Sequence, residues 1–304
     1  MKSVIKSVIK PVVKKIMPTV LWEKFAEYMN KIKRHKLKLE IIKYLETNSA
    51  YDNPEKGEII SFLKSNSSFI FPYNFIKKYD ARNIRVYTDN QHGMKYVLHE
   101  NKRLYFKKNW NEKLIMNSYN GLLIEQDIDS PHRYETSGFH VNTGDVVVDV
   151  GVAEGNFALS VVEKAKKLYL FEVDEEWIDV LKVTFAPWKE KVEIICKYVS
   201  DHDDDENVTL DTFLGKEKVD FIKADIEGAE TALLKGCKNI LSDNHPLKIV
   251  MCTYHNPNDA EEIKHMLTGS GFQTVFSKGY MIFIYDETLC APYLRKGLIR
   301  GIKI

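Results

Sequence analysis

The sequence predicts an α/β protein: an open, mostly parallel, doubly wound sheet with an antiparallel C-terminal edge, behind a helical N-terminal extension. Three observations carry this expectation. From Gly144 onward, short apolar runs alternate with helix-periodic stretches, which is the rhythm of βαβ units. The run VVVDVGVAEGNFALS, Val146 to Ser160, joins a β-branched strand to a helix through a bend with a glycine at each corner. Residues 1 to about 65 keep helical periodicity, as in LWEKFAEYMNKIKRHKLKLEIIKYLE, which holds no breaker.

In chain order, residues 1–70 read as the helical extension with a basic amphipathic start, and SNSSFIFPYNF as a loop. Residues 71–143 read as an α+β lead-in segment. Within it, Lys95 to Lys108 is a hairpin turning at Glu100–Asn101–Lys102, NEKLIMNSYNGLLIEQ is a helix, and SPHRYE is a loop. Residues 144–290 form the sheet domain. Its strands are expected at Asp145–Val150, Lys167–Glu172, Val192–Cys196, Val219–Ala224 and Lys248–Cys252. Helices follow near Gly155–Lys164, Glu175–Phe185, Ala229–Leu241 and Asp259–Leu267, and the acidic run Asp201–Glu206 reads as a solvated loop. FQTVFS and YMIFIYD supply a closing β-hairpin, and residues 291–304 a basic tail.

Composition bounds the function. With 304 residues, 44% of them hydrophobic and 29% charged, the chain can bury a sizeable core. A formal net charge of +1 gives no electrostatic footprint for nucleic acid, which is not expected as a partner. Four scattered cysteines, Cys196, Cys237, Cys252 and Cys290, form no CxxC pair and read as reduced, buried thiols of a cytoplasmic protein. No apolar run reaches membrane-spanning length. Charge is uneven, however: Met1 to Lys43 holds twelve Lys or Arg against three Glu. In residues 1–17, Val4, Ile5, Val8, Ile9, Val12 and Val13 share one helical face and Lys2, Lys6, Lys10 and Lys14 another. That pattern suits peripheral contact with the anionic inner face of a membrane, or packing on the protein's own body.

The glycine corner is the first candidate site. Ligands of open α/β sheets sit beyond the carboxyl ends of the strands, at the point where strand order reverses. Gly151 and Gly155 permit positive φ or a close backbone approach. Asp149 ends the strand, where a carboxylate faces a cationic or hydroxylated ligand. The spacing D-x-G-x-x-x-G lacks the third glycine of a pyrophosphate-binding fingerprint, and Glu154 inside the loop would repel phosphate. A positively charged nucleoside without phosphate fits better, and S-adenosylmethionine is such a molecule. Glu172, ending the second strand, is placed for ribose hydroxyls, and Asp201, after the third, for an adenine edge. Asp225 and Glu227 leave the fourth strand together in FIKADIEGAE, an arrangement whose desolvation and repulsion are tolerated where charge is used. Glu230 in the same stretch reads as a helix N-terminal acid.

These segments together resemble the FkbM family of S-adenosylmethionine-dependent methyltransferases. The carrying motifs are VVVDVGVAEGNFAL, LFEVDEEW, VTLDTFL and VDFIKADIEGAETALLKG, within Asp145 to Tyr285. The resemblance implies a Rossmann-like class I methyltransferase sheet and O-methyl transfer onto sugars, glycans or related natural products. It implies that Asp149, Gly151, Gly155 and Glu172 line the cofactor. Ala153, Glu154 and Val173 depart from the residues common at these places in the family.

Methyl transfer from a sulfonium to a hydroxyl needs alignment and removal of a proton. Asp225 or Glu227 could act as base or as ligands of a divalent metal ion, and His255 in MCTYHNPND is the other candidate base. His132, Arg133 and Tyr254 are the candidate contacts to the acceptor. The rival expectation is a catalytically inactive binding or scaffold protein that keeps the fold and is tethered by its basic helix.

Overall fold

The structure, a computed structural model, describes residues 19–48, 55–66, 70–286 and 288–304, the side chains of 19–27 aside. The amphipathic opening, residues 1–17, and the membrane contact expected of it lie outside the described residues. The chain divides into two compact units, Met1–Pro72 and Tyr73–Ile304.

In the first unit, α1 (Thr19–Thr47) packs on α2 (Glu55–Ser65). Ile41, Ile42 and Leu45 of α1 and Ile59, Phe62 and Leu63 of α2 are buried at i, i+3 and i+4 spacings. Glu55 and Glu58 in the first turn of α2 and Lys64 in its last complement the helix dipole. Lys64 also pairs with Glu46 at 2.7 Å. No described helix is long and apolar enough to cross a membrane.

The second unit opens with an antiparallel ribbon, β1 (Tyr87–Asp89), β2 (Met94–His99) and β3 (Lys102–Tyr105). The β2–β3 turn forms at the expected place, with Glu100 and Asn101 both at positive φ, as a tight two-residue hairpin requires. Helix α3 (Glu112–Glu125) starts where the Asn111 side chain accepts from the Leu114 amide at 2.9 Å.

The main sheet runs β11-β12-β10-β9-β4-β5-β6. Its parallel part is β4 (Val146–Val150), β5 (Lys167–Phe171), β6 (Val192–Ile195), β9 (Phe221–Ala224) and β10 (Leu247–Cys252). Every residue of β4 and β9 is buried, as strands covered on both faces require. The intervening helices are α4 (Asn156–Val161) and α5 (Glu175–Thr184), with α6 (Leu210–Leu214) after a short β7–β8 pair (Tyr198–Val199 and Asn207–Val208). After β9 the expected single helix is two, α7 (Glu230–Lys235) and α8 (Lys238–Ser242). They are split at Gly236, where a Cβ would stand 2.0 Å from the Ser200 carbonyl oxygen. Helix α9 is Asp259–Gly269 and β11 Gln273–Phe276. From β4 the chain steps to β5 and β6 on one side, then returns to β9 and β10 on the other, so the order reverses between β4 and β9. Both of their carboxyl ends open there, with Val150 beside Ala224.

The closing edge differs from expectation. YMIFIYD is not a strand; it contributes one isolated bridge, Met281 to Arg295. The partner of β11 is β12 (Leu298–Lys303), inside the segment read as a basic tail. β12 lies between β10 and β11, antiparallel to both. Its arginine disguises the strand: Arg300 is buried because its guanidinium donates to the backbone carbonyls of Arg133 and Tyr134. Gly301 leaves room for Ile249 and Phe272, 3.0 and 3.1 Å from where its Cβ would be. The thiols also divide: Cys237 and Cys252 are buried, but Cys196 and Cys290 are exposed.

Because β12 supplies both neighbours with their ladder, a chain ending at Lys296 should lose its cooperative thermal transition. Circular dichroism melts of the full and shortened chains check this; equal melting temperatures would mean that the last strand is dispensable.

Candidate functional site

The two strand ends meet through a contact that only glycine permits. Gly151, at φ +74°, packs so closely on the loop after β9 that a Cβ would lie 1.9 Å from the Asp225 carbonyl oxygen. Gly155, at φ +83° and capping α4, packs on Leu181 and Phe185, which a Cβ there would approach to 2.8 and 3.0 Å. Both glycines are therefore demanded by protein packing, and the corner they shape is the floor of the site.

Asp149 was expected to face a cation, and the cation present is Lys223 of β9. The two are 1% and 3% exposed, and Lys223 Nζ stands 2.9 Å from Asp149 Oδ1. The same ammonium donates to the Gly151 carbonyl at 2.7 Å and lies 5.2 Å from the centre of the Tyr134 ring. Burial raises the Asp149 carboxyl pKa, against the pull of Lys223. Asp149 Oδ2 is buried with no hydrogen-bond partner.

Glu172 follows β5 and is half-buried. Its Oε1 accepts from the amides of Val173 (2.8 Å) and Asp174 (2.9 Å), and its Oε2 from that of Ala153 (2.8 Å). The last bond holds Ala153 in the left-handed region at φ +46°. A carboxylate has about four acceptor positions, so Oε2 keeps one for a hydroxyl. Glu154 beside it accepts from the Ser118 hydroxyl at 3.2 Å, and burial raises its carboxyl pKa. Asp201 sits elsewhere, in the exposed loop between β7 and β8, paired with His202 at 2.9 Å.

Asp225 is the centre of a second group. Its Oδ2 accepts from the Tyr134 hydroxyl at 2.9 Å and its Oδ1 from that of Tyr254 at 3.2 Å. The imidazoles of His132 and His255 each stand 3.5 Å away. Burial would raise this carboxyl pKa; the His132 contact and charge, with Lys223 and His255, outweigh it and hold the group well below the carboxylate range. His255 Nδ1 lies 3.0 Å from Glu230 Oε1 and, against a carboxylate, carries the proton there. Burial disfavours its imidazolium, but Glu230, Asp225 and Glu227 together raise its pKa. Glu230 also accepts from the Ile226 amide at 3.1 Å and is 1% exposed.

Two candidates stand apart from this core. Glu227, at φ +54° in the bend, turns its side chain out, 89% exposed, with His255 Nε2 3.9 Å away. Arg133 gives its guanidinium to the backbone, donating to the carbonyls of Gln126 (2.6 Å) and Glu135 (2.7 Å). His132, on the same loop, is 2% exposed, 3.1 Å from the Tyr254 hydroxyl and 3.6 Å from Cys252 Sγ.

Four participants were not read as site residues from the sequence. Lys223 and Cys252 occupy strand positions that read only as core. Glu125, at the end of α3, lies near Asp225 and Glu154, and burial pushes its carboxyl pKa up to about 7. Glu230 read as a helix-terminal acid. A lysine inside the otherwise apolar FIKA strand was the one legible hint, because an unpaired lysine is rarely buried.

Residues 150–274 match the family model of the methyltransferase FkbM domain. Among solved structures, the chain is similar to methyltransferase FkbM from Methylobacillus flagellatus KT, with 16% identity over 62% of this chain and 53% of that one, and a TM-score of 0.44. It spans about half the length of that protein. It is also similar to the M. jannaschii tRNA m1G37 methyltransferase (15% identity, 73% and 56% of the two chains, TM-score 0.39). A third similar structure is an rRNA methylase from Streptococcus thermophilus (16%, 54% and 89%, 0.35). No curated protein matches the chain.

Two outcomes test this construction. Lys223→Met leaves Asp149 buried without its countercharge and should cost about 3–5 kcal/mol in urea unfolding, part of it recovered by adding Asp149→Asn. A loss below about 1 kcal/mol would show that the pair is not isolated from water. Gly151→Ala should lower the melting temperature more than Gly121→Ala, where a Cβ meets nothing within 4 Å.

Proposed function

We propose that the protein is an S-adenosylmethionine-dependent O-methyltransferase acting on a hydroxyl of a sugar, glycan or related natural product. The FkbM match supports methyl transfer. The observation that carries the site is the convergence of Asp149, Glu172 and Asp225 on one glycine corner at the reversal of strand order.

The residues present fit the cofactor that the family implies. Glu172 would hold a ribose hydroxyl on the acceptor position that Oε2 keeps. Glu172 and Glu154 at the corner, with Lys223 already paired to Asp149, favour a cationic ligand over a phosphate. When bound, S-adenosylmethionine supplies a methyl group already activated on a sulfonium sulfur.

The chain's task is then to orient the acceptor and take its proton. In its neutral form His255 keeps its Nδ1 proton on Glu230 and carries the lone pair on Nε2, which is buried beside Asp225 and faces the exposed Glu227. That nitrogen receives the hydroxyl proton as the oxygen gains the methyl group. Tyr134 and Tyr254 pin both oxygens of Asp225, so the carboxylate keeps one orientation toward the acceptor. Arg295 donates to the carbonyls of Tyr254 (2.7 Å) and His255 (2.8 Å) and fixes the loop that carries them.

Isothermal titration with S-adenosylmethionine tests the reading. The wild-type chain should bind, and Glu172→Gln should weaken binding by about tenfold, the value of one hydrogen bond to a charged group. His255→Asn should keep cofactor affinity and lose methylation of glycan acceptors, read by mass spectrometry as one missing methylene mass. No binding at about 1 mM cofactor would leave the scaffold alternative.

A further inference from the structure

His132, Asp225 and Cys252 come from three places in the chain: the loop before β4, the end of β9 and the end of β10. They converge in the interior behind the cofactor corner. One donor atom from each, a nitrogen, an oxygen and a sulfur, lies within 4.8 Å of the other two. His132 and Cys252 are 2% and 0% exposed, and the Asp225 side chain 21%.

Two of the three separations within this group are those of a coordination shell. His132 Nε2 is 3.5 Å from Asp225 Oδ2 and 3.6 Å from Cys252 Sγ. The nitrogen–oxygen separation is longer than a normal N–H···O bond. Zinc binds nitrogen and oxygen at about 2.0–2.1 Å and sulfur at about 2.3 Å, so a tetrahedron has N–O edges of about 3.4 Å and N–S edges of about 3.6 Å. Both observed separations match those edges. The set of imidazole, carboxylate and thiol suits zinc rather than magnesium or calcium, which take oxygen. Surroundings supply the outer shell: the Tyr134 and Tyr254 hydroxyls bond the Asp225 oxygens.

We propose that His132, Asp225 and Cys252 form a zinc site. It differs from the hard-ion pair Asp225 and Glu227 suggested by the sequence, because Glu227 points to solvent. Three protein ligands leave a fourth position, as in catalytic zinc sites. A hydroxyl held there ionises more readily, which is what methylation on oxygen requires. That last consequence rests on the methyltransferase reading; occupancy by the metal does not.

The test uses the full chain with the two exposed thiols removed, Cys196→Ser and Cys290→Ser, leaving the two buried ones. Mass spectrometry of the metal-loaded, dialysed protein should find one zinc per chain. Cobalt replacing it should give a thiolate-to-metal charge-transfer band. Adding Cys237→Ser should leave stoichiometry and band unchanged, since that thiol lies outside the cluster against the Leu234 carbonyl. Adding Cys252→Ser should abolish the band and lower zinc retention at least tenfold. Should Cys252→Ser not fold, the Cys237→Ser protein decides alone, because Cys252 is then its one remaining thiol. Absence of zinc and of the band from that protein, or their persistence in folded Cys252→Ser, overturns the site. S-adenosylmethionine titration of the same samples separates the two readings: cofactor binding without zinc removes the metal and leaves the methyltransferase.

Discussion

Everything near the site depends on one buried ammonium. Lys223 enters the sheet as the sole basic residue of β9, which it could not do unpaired, because taking a charge out of water costs several kcal/mol. Asp149, one strand away at the same height, offsets that charge, and the Gly151 carbonyl takes a hydrogen bond from it. The ion pair thus ties the loop after β4 to the strand whose own loop carries Asp225. Once these two loops touch, as the Gly151 contact with the Asp225 carbonyl shows, the carboxylates of both face one cleft.

Around this centre the walls are held by backbone bonds from distant arginines. Arg300 on β12 fastens the loop bearing His132, Arg133 and Tyr134. Arg295, just before that strand, fastens the loop bearing Tyr254 and His255. The C-terminal segment is therefore a structural neighbour of β10 and, through Arg295 and Arg300, the support for the loops that bring His132, Tyr134, Tyr254 and His255 to Asp225. Gly297 between the two arginines belongs to the same arrangement, since a Cβ there would stand 2.2 Å from the Pro131 carbonyl oxygen. The C-terminal segment completes the site without contributing a reacting group.

The carboxylates divide by burial into distinct tasks. Asp149 and Glu230 are sealed from water and act on protein partners, Lys223 and His255. Glu172 is half-open, with an acceptor position unused, and Glu227 is fully at the mouth. Asp225 lies between these extremes and collects the most partners. A gradient from sealed to open charge lets the interior stay organised while the mouth remains free to meet a ligand.

The order of the five parallel strands was legible because each apolar run is bounded by glycine, acid or polar punctuation, and a parallel strand buried on both faces writes a nearly continuous hydrophobic word; the short β7–β8 pair and α6 were not. Asp149, Gly151, Glu172 and Asp225 were legible for the same reason: strand ends are where such residues must be explained. Local pattern could not show that Arg300 lies inside the sheet, that YMIFIYD yields its place to LIRGIK, or that Arg133 turns to its own backbone. Arg300 is settled by the carbonyls of Arg133 and Tyr134, far away in the chain, and Arg133 by carbonyls close in the chain that only the folded loop presents to it. Likewise the sequence by itself determined that acids gather at the strand ends. Only the tertiary structure decided that Lys223 neutralises one of them and that His132 and Cys252 reach another, because the pairing of charges is set by distance in space, on which spacing along the chain is silent.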